Sequence, residues 1–442
     1  MQIEQELFYQ LQYWVNKYFF FITLSQIFLF MAPFLLLKFS DRLNKFIQIT
    51  VITFFSGIYF IKIIRYLDLT KGWDRNAICS WISLDNEFTD YDIYTLQLQN
   101  SLDFQAPVFS FYYHPVLLKK FEFFCTFSDK AFNYIVVSTL IFIAIYLSTL
   151  LKNVSRISIV ILTFFSFNNL LWLLITGQFF FLEIITLVVS LTLLKYKKHK
   201  LAIIFLFIFG VQKIYFLVFS FYLAIKYFKW KGLTLFTFLI ILVNLITLDM
   251  FQEFITFWLS SEGYLFGDRG DKHSFLQENF GLTNQSVLFV LKDLLNILNI
   301  SFNSISLIIC VALLSLIIIY FLHKKLNDYT SNKITDLFVF LSFLLAYPLL
   351  KPYAYIYFSI ILLFLLHELN SLKLENLSLQ LLTIPGSLYL LISDFLFNDT
   401  KELTNLLKIQ YEFIMLYNFI SSWIILIYLC RIVFLGKLKN FS

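Results

Sequence analysis

The chain has 442 residues, 60 % of them hydrophobic and only 14 % charged, with a formal net charge of +6 and a mean hydropathy of +0.78. A soluble domain carries about 45–50 % apolar and about 25 % charged residues, so the composition excludes an ordinary soluble globular enzyme. It also excludes disorder, which needs low hydrophobicity and high net charge. The expectation is a single polytopic membrane domain over 1–442, all-α. The apolar runs are continuous, without the alternation of a membrane barrel.

A membrane-crossing helix needs roughly 20 apolar residues for a hydrocarbon core about 30 Å thick. Runs of this kind lie near 18–37, 46–64, 131–151, 157–176, 178–194, 232–250, 303–322, 335–350, 354–368, 377–395 and 411–433. They predict about 11 transmembrane helices. A further apolar stretch, 201–225, is broken by Gly210, Gln212 and Lys213 and lies between two basic segments. It predicts a re-entrant hairpin with Lys213 near its tip, because both flanks belong on the same side. The N-terminal run has no small-residue cleavage site after it, so it is not read as a removable signal peptide.

Lysine and arginine set the orientation. The segments 38–45, 152–156, 195–200, 226–231, 323–333, 367–376 and 431–439 hold 19 of the 34 Lys and Arg and, with the adjoining span edges, 5 of the 28 Asp and Glu. Placing them in the cytoplasm puts the N-terminus outside and the C-terminus inside. The charge of +6 then faces anionic lipid and gives no reason to expect nucleic acid.

Two long outer segments remain. The first, 65–130, is rich in Asp and carries Pro107 and Pro115; it predicts short interfacial helices. The second, 251–286, mixes Asp268, Arg269, Asp271, Lys272 and His273 with aromatic residues. Loops this long are usually functional. Cys79 and Cys125 both fall in the first, where an oxidising compartment permits a bond between them. His114, His199, His273, His323 and His367 do not cluster in sequence, and no zinc spacing, P-loop, GxGxxG or GxSxG is present.

The polar residues fall into an ordered series: Thr89-Asp90-Tyr91-Asp92-Ile93-Tyr94, Phe111-Tyr112-Tyr113-His114-Pro115, Thr176-Gly177-Gln178, Gly210-Val211-Gln212-Lys213, Asn284-Gln285-Ser286, and Tyr347-Pro348-Leu349-Leu350-Lys351-Pro352-Tyr353. From about residue 85 to 365 this series resembles glycosyltransferase family 87, the polytopic GT-C-type transferases that include bacterial α-1,2-mannosyltransferases. The family's Asp with a Tyr four residues on matches Asp90 and Tyr94. Its Gly-Gln at a span start matches Gly177 and Gln178, its lysine between apolar runs Lys213, and its Asn-Gln-Ser Asn284 to Ser286. Two departures stand out. Tyr113-His114-Pro115 replaces the Tyr-Pro-Pro of many relatives. Lys351 and Tyr353 stand where relatives often carry histidines, which leaves the donor and acceptor open.

The resemblance implies transfer of a hexose, mannose first, from a polyprenyl phosphate sugar to a hydroxyl of a lipid-linked or envelope glycan. It implies a site on the outer face of a bacterial inner membrane. An inverting single displacement needs one carboxylate to deprotonate the acceptor. Asp90 fills that role, with Asp92 the alternative base or an acceptor-orienting group. Lys213 and Lys351 are the candidates for the donor phosphate, because an ionisable group inside an apolar segment usually faces a cavity with a partner. The plainer alternative for each is a lysine reaching the membrane interface. Tyr94, Tyr113, His114, Gln178, Asn284, Gln285 and Tyr353 are candidates for sugar contacts, and Ser286 reads as a helix N-cap. Glu183, about one turn into its span, faces a cavity or pairs with a lysine. With lysines at the leaving group, no metal and no cofactor is called for. Rival readings are a polytopic transporter, which also keeps ionisable groups at mid-membrane, and an O-antigen polymerase or ligase.

Overall fold

The computed structural model describes residues 79, 123–156, 159, 181–210, 214–246, 291, 295, 298, 300, 304–347, 354–369 and 419–433. Eight helices are delimited among them. They are α1 (Asp129–Leu150), α2 (Phe181–Lys195), α3 (His199–Gly210), α4 (Ile214–Phe228), α5 (Trp230–Ile246), α6 (Ser304–Tyr329), α7 (Asn332–Ala346) and α8 (Tyr355–Leu369). Residues 419–433 are also helical.

The helices start and stop for local reasons. Ser128 caps α1, its Oγ accepting the Ala131 N–H at 3.3 Å, which satisfies one of the donors a helix start leaves free. Helix α2 carries Glu183 in its first turn and Lys195 in its last, the arrangement the helix dipole favours. It closes with Lys197 N–H bonded to Leu194 O and Lys198 N–H to Leu193 O, around Lys197 at φ 59°. That is a Schellman ending with lysine at the left-handed position glycine usually takes.

These punctuation marks correct the expected architecture. Helices of 15 residues, such as α2, α4, α7 and α8, are about 22 Å long, well short of a hydrocarbon core of about 30 Å. The longer α1 and α6 take Asp129, Lys130 and Asn133, and the polar stretch His323–Asp328, into their own length. Among the described residues no helix is long and apolar enough to cross a membrane. The predicted GT-C-type bundle of about 11 transmembrane helices is therefore overturned. The physical reason lies in the described helices themselves, which are either too short or carry polar residues within their length.

Helix α8 is the axis. Its residues Tyr355 to Leu366 are all buried, as expected of a helix apolar on every side. It packs against α7 and α2; α2 also packs on α1 and α3; α4 lies between α3, α5 and α7; α6 pairs with α7. Ile425, Leu426, Leu429 and Val433 of 419–433 join the same core. Two glycines allow the closest approaches. A Cβ on Gly210 would lie 2.4 Å from Leu217 N, and one on Gly232 1.9 Å from Ala224 O. The α3–α4 pair is further tied by the Ser220 hydroxyl, which donates to Ile203 O at 2.9 Å.

α1 and α2 run in the same direction, and from α2 to α5 and from α6 to α8 each helix reverses the one before it, so the bundle has two ends. One gathers the α2–α3 and α4–α5 turns with the last turns of α1, α6 and α8 and the first turn of α7. The other gathers the starts of α1, α2, α4 and α8 with the ends of α3 and α7. The outer faces are apolar: Phe142, Ile145, Leu245, Phe321 and Ile427 are 59–69 % exposed.

Candidate functional site

The second end brings together residues that flank several of the motifs in sequence. Phe181 opens α2, three residues after Gln178. Tyr215 and Phe216 open α4, just after Lys213. Tyr347 follows α7, and Tyr355 and Tyr357 begin α8, on either side of Lys351 and Tyr353. These flanking residues touch. Tyr215 lies 5.5 Å from Tyr347 and 5.6 Å from Tyr357 between ring centroids, and Phe216 lies 4.9 Å from Tyr357. At the centre the Tyr357 hydroxyl donates to Glu183 Oε2, both side chains being fully buried. Glu183 is thus held by a phenol, a partner the sequence reading did not name. A carboxylate needs such donors when water is removed from it.

The first outer segment is fastened to the same end. Cys79 and Cys125 form a disulfide, with Cα atoms 5.4 Å apart. Beside it Phe124 packs edge-on against Phe181 at 5.2 Å, and Phe132 meets Phe181 at 5.7 Å. Residues 80–124, the loop this bond closes, include Asp90, Asp92, Tyr94, Tyr113 and His114. Those five residues lie outside the described residues, as do Gln178, Lys213, Asn284, Gln285, Lys351 and Tyr353. So do nearly all of 65–130 and all of 251–286.

The first end holds a network that sequence reasoning missed. Asp336, 2 % exposed, accepts from Lys226 Nζ at 2.7 Å, from the Tyr227 hydroxyl at 2.5 Å and from the Tyr222 hydroxyl at 3.2 Å. Tyr222 Oη also lies 2.9 Å from His323 Nδ1, and His199 stacks on Tyr227 with centroids 3.7 Å apart. Four elements, α3, α4, α6 and α7, meet here. His199 and His323, scattered in sequence, flank one carboxylate. Burial holds both imidazoles below their ordinary range; Lys226 adds to the effect at His323 and Asp336 opposes it at both. Burial and then Asp336 push the Tyr227 phenol up. The signal that was available is the one used for Lys213: Asp336 is an acid inside an apolar run, with Lys226 one of the few cations near enough to join it.

A second junction lies beside it. Lys195 Nζ donates to Leu150 O at 2.8 Å and lies 2.8 Å from His367 Nε2; the Asn153 N–H donates to His367 Nδ1 at 3.3 Å. Burial, then Lys195, lowers His367 to about 4, and burial lowers Lys195. Among the described residues no group of three or more His, Cys, Asp or Glu is placed to hold a metal ion. No family model, no curated protein and no solved structure matches the chain.

Proposed function

We propose that the chain is a glycosyltransferase that moves a hexose, mannose first, from a polyprenyl phosphate sugar to a hydroxyl of a lipid-linked or envelope glycan, with inversion. The observation that carries the reading is the convergence at one end of the bundle. The described residues that flank Gln178, Lys213, Lys351 and Tyr353 touch one another there. The disulfide fastens the foot of the loop containing Asp90 and Asp92 beside the same helix start. Motifs up to 175 residues apart in sequence thus have their anchors within one cluster.

In this reading Asp90, or Asp92 in its place, takes the acceptor proton as the hydroxyl attacks the anomeric carbon. Lys213 and Lys351 neutralise the departing phosphate through charge-assisted hydrogen bonds. Tyr94, Tyr113, His114, Gln178, Asn284, Gln285 and Tyr353 hold sugar hydroxyls. A lipid-linked donor requires a membrane location, and the reading sets the chain at the bacterial inner membrane with its site on the outer face. The exposed apolar flanks support a lipid environment. The Cys79–Cys125 bond supports an oxidising compartment for the loop.

The test is transfer of radiolabelled mannose from polyprenyl phosphate mannose in purified membranes. Wild type is expected to transfer label, and an equally abundant Asp90→Asn variant to lose it by about a hundredfold. Equal transfer in that variant with loss in Asp92→Asn moves the base to Asp92. No transfer by wild type from any polyprenyl phosphate sugar overturns the reading.

A further inference from the structure

The end of the bundle away from the candidate site has a surface of unusual make-up. The α2–α3 turn carries Tyr196, Lys197 and Lys198, Lys229 joins α4 to α5, and Trp230 and Lys231 open α5; all six are exposed, Trp230 at 80 % and Tyr196 at 60 %. Lys324 and Lys325 at the end of α6 are exposed beside them. Two acids of this end are engaged elsewhere: Asp336 is buried on Lys226, and Glu368 acts on Lys195.

The backbone adds an independent sign. Lys197 and Lys229 have φ of 59° and 51°, the only positive values among described residues other than glycine. A side chain there is strained relative to glycine. Both strained positions hold lysine, both are exposed, and both lie in this one surface. An aromatic ring with one polar edge, set among lysines and next to apolar helix flanks, suits the headgroup level of a bilayer. Lysines near such a surface are attracted to anionic headgroups.

We propose that this end docks on anionic phospholipid, with Trp230 and Tyr196 seated at the headgroup level and Lys197, Lys198, Lys229 and Lys231 on the phosphates. The inference rests on the membrane location proposed above and adds the lipid class and the docking face.

The experiment reconstitutes the full chain with brominated phosphatidylglycerol or brominated phosphatidylcholine and reads tryptophan quenching, with Trp230→Phe isolating the Trp230 signal. Phosphatidylglycerol is expected to quench Trp230 more strongly, with the excess removed by 0.5 M salt. Replacing the four lysines by Gln should weaken the preference by up to about a thousandfold. The Lys197→Gly/Lys229→Gly variant should melt higher than wild type yet prefer phosphatidylglycerol less, an outcome misfolding does not produce. Equal quenching by the two lipids, or a preference unchanged in the Gln variant, overturns the proposal. The mannose transfer assay on the same protein separates the two readings. Transfer without a lipid preference defeats only the docking face, and a preference without transfer defeats only the transferase.

Discussion

At one end of the bundle Asp336 is enclosed by Lys226, Tyr222 and Tyr227, with His323 and His199 behind the phenols. At the other, Glu183 takes the Tyr357 hydroxyl amid Tyr215, Phe216 and Tyr347. Both carboxylates sit in apolar runs of the sequence, and insertion of either without partners is costly. The first is matched by a cation, so the network is complete in itself and joins four helices. The second lies among residues next in sequence to several of the ligand-type motifs. A buried acid with its own counter-ion reads as framework; Glu183, among aromatic rings next in sequence to Gln178, Lys213 and Lys351, belongs to the site we propose.

The largest expected effect tests the framework half. Asp336→Ala leaves Lys226 buried without its carboxylate and should destabilise by about 3–5 kcal/mol, read as a lower unfolding midpoint in mild detergent. Replacing both partners, Asp336→Leu with Lys226→Met, should recover most of that loss, since an apolar pair of similar volume removes both desolvation penalties. A double variant no more stable than Asp336→Ala would mean that the tyrosines, not the ion pair, hold the end together.

The next effect falls at the other end. Cys79→Ser with Cys125→Ser opens a loop spanning 46 residues of sequence separation and should cost about 2–4 kcal/mol. Mannose transfer should fall further than the loss of folded protein explains, because the bond fastens the Asp90 loop beside α2. Wild type should migrate faster than this variant on a non-reducing gel. Activity that tracks folded protein alone would reduce the disulfide to a stabilising link.

Several features were legible in the sequence, and the reasons are physical. Lysine and arginine are excluded from apolar surroundings, so 152–156, 195–200, 226–231 and 323–333 could be grouped by charge alone. In the bundle their described residues do share one end. Helix length was not legible: α6 runs on from its apolar residues through the polar stretch His323–Asp328, which the charge pattern sets outside the helix as a basic segment. The Asp336 hub was hidden because its members, 222, 226, 227, 323 and 336, are brought together by antiparallel packing that no local spacing records. The disulfide was an open possibility for the opposite reason: two cysteines in one loop are easily counted, but their separation in space is not.

The smallest effect is a pH dependence, and it belongs to the lysine-rich end. His367 is held at about 4 by burial and by Lys195, with Lys333 adding to the effect, against about 6.5 in an unfolded chain. Below about 6.5 the unfolded chain binds a proton that the folded chain refuses. The contribution is therefore complete above that pH and is lost as the pH falls toward 4. His199 and His323 are lowered in the same direction, so wild type should lose stability steadily across this window. His367→Gln should flatten the profile by less than one proton's worth of slope, leaving the part that belongs to the Asp336 hub. Unfolding midpoints at pH 7.5, 6.0 and 5.0 give the comparison. An unchanged slope would mean that His367 takes up its proton while folded, and that the Lys195 junction opens to water before the hub does.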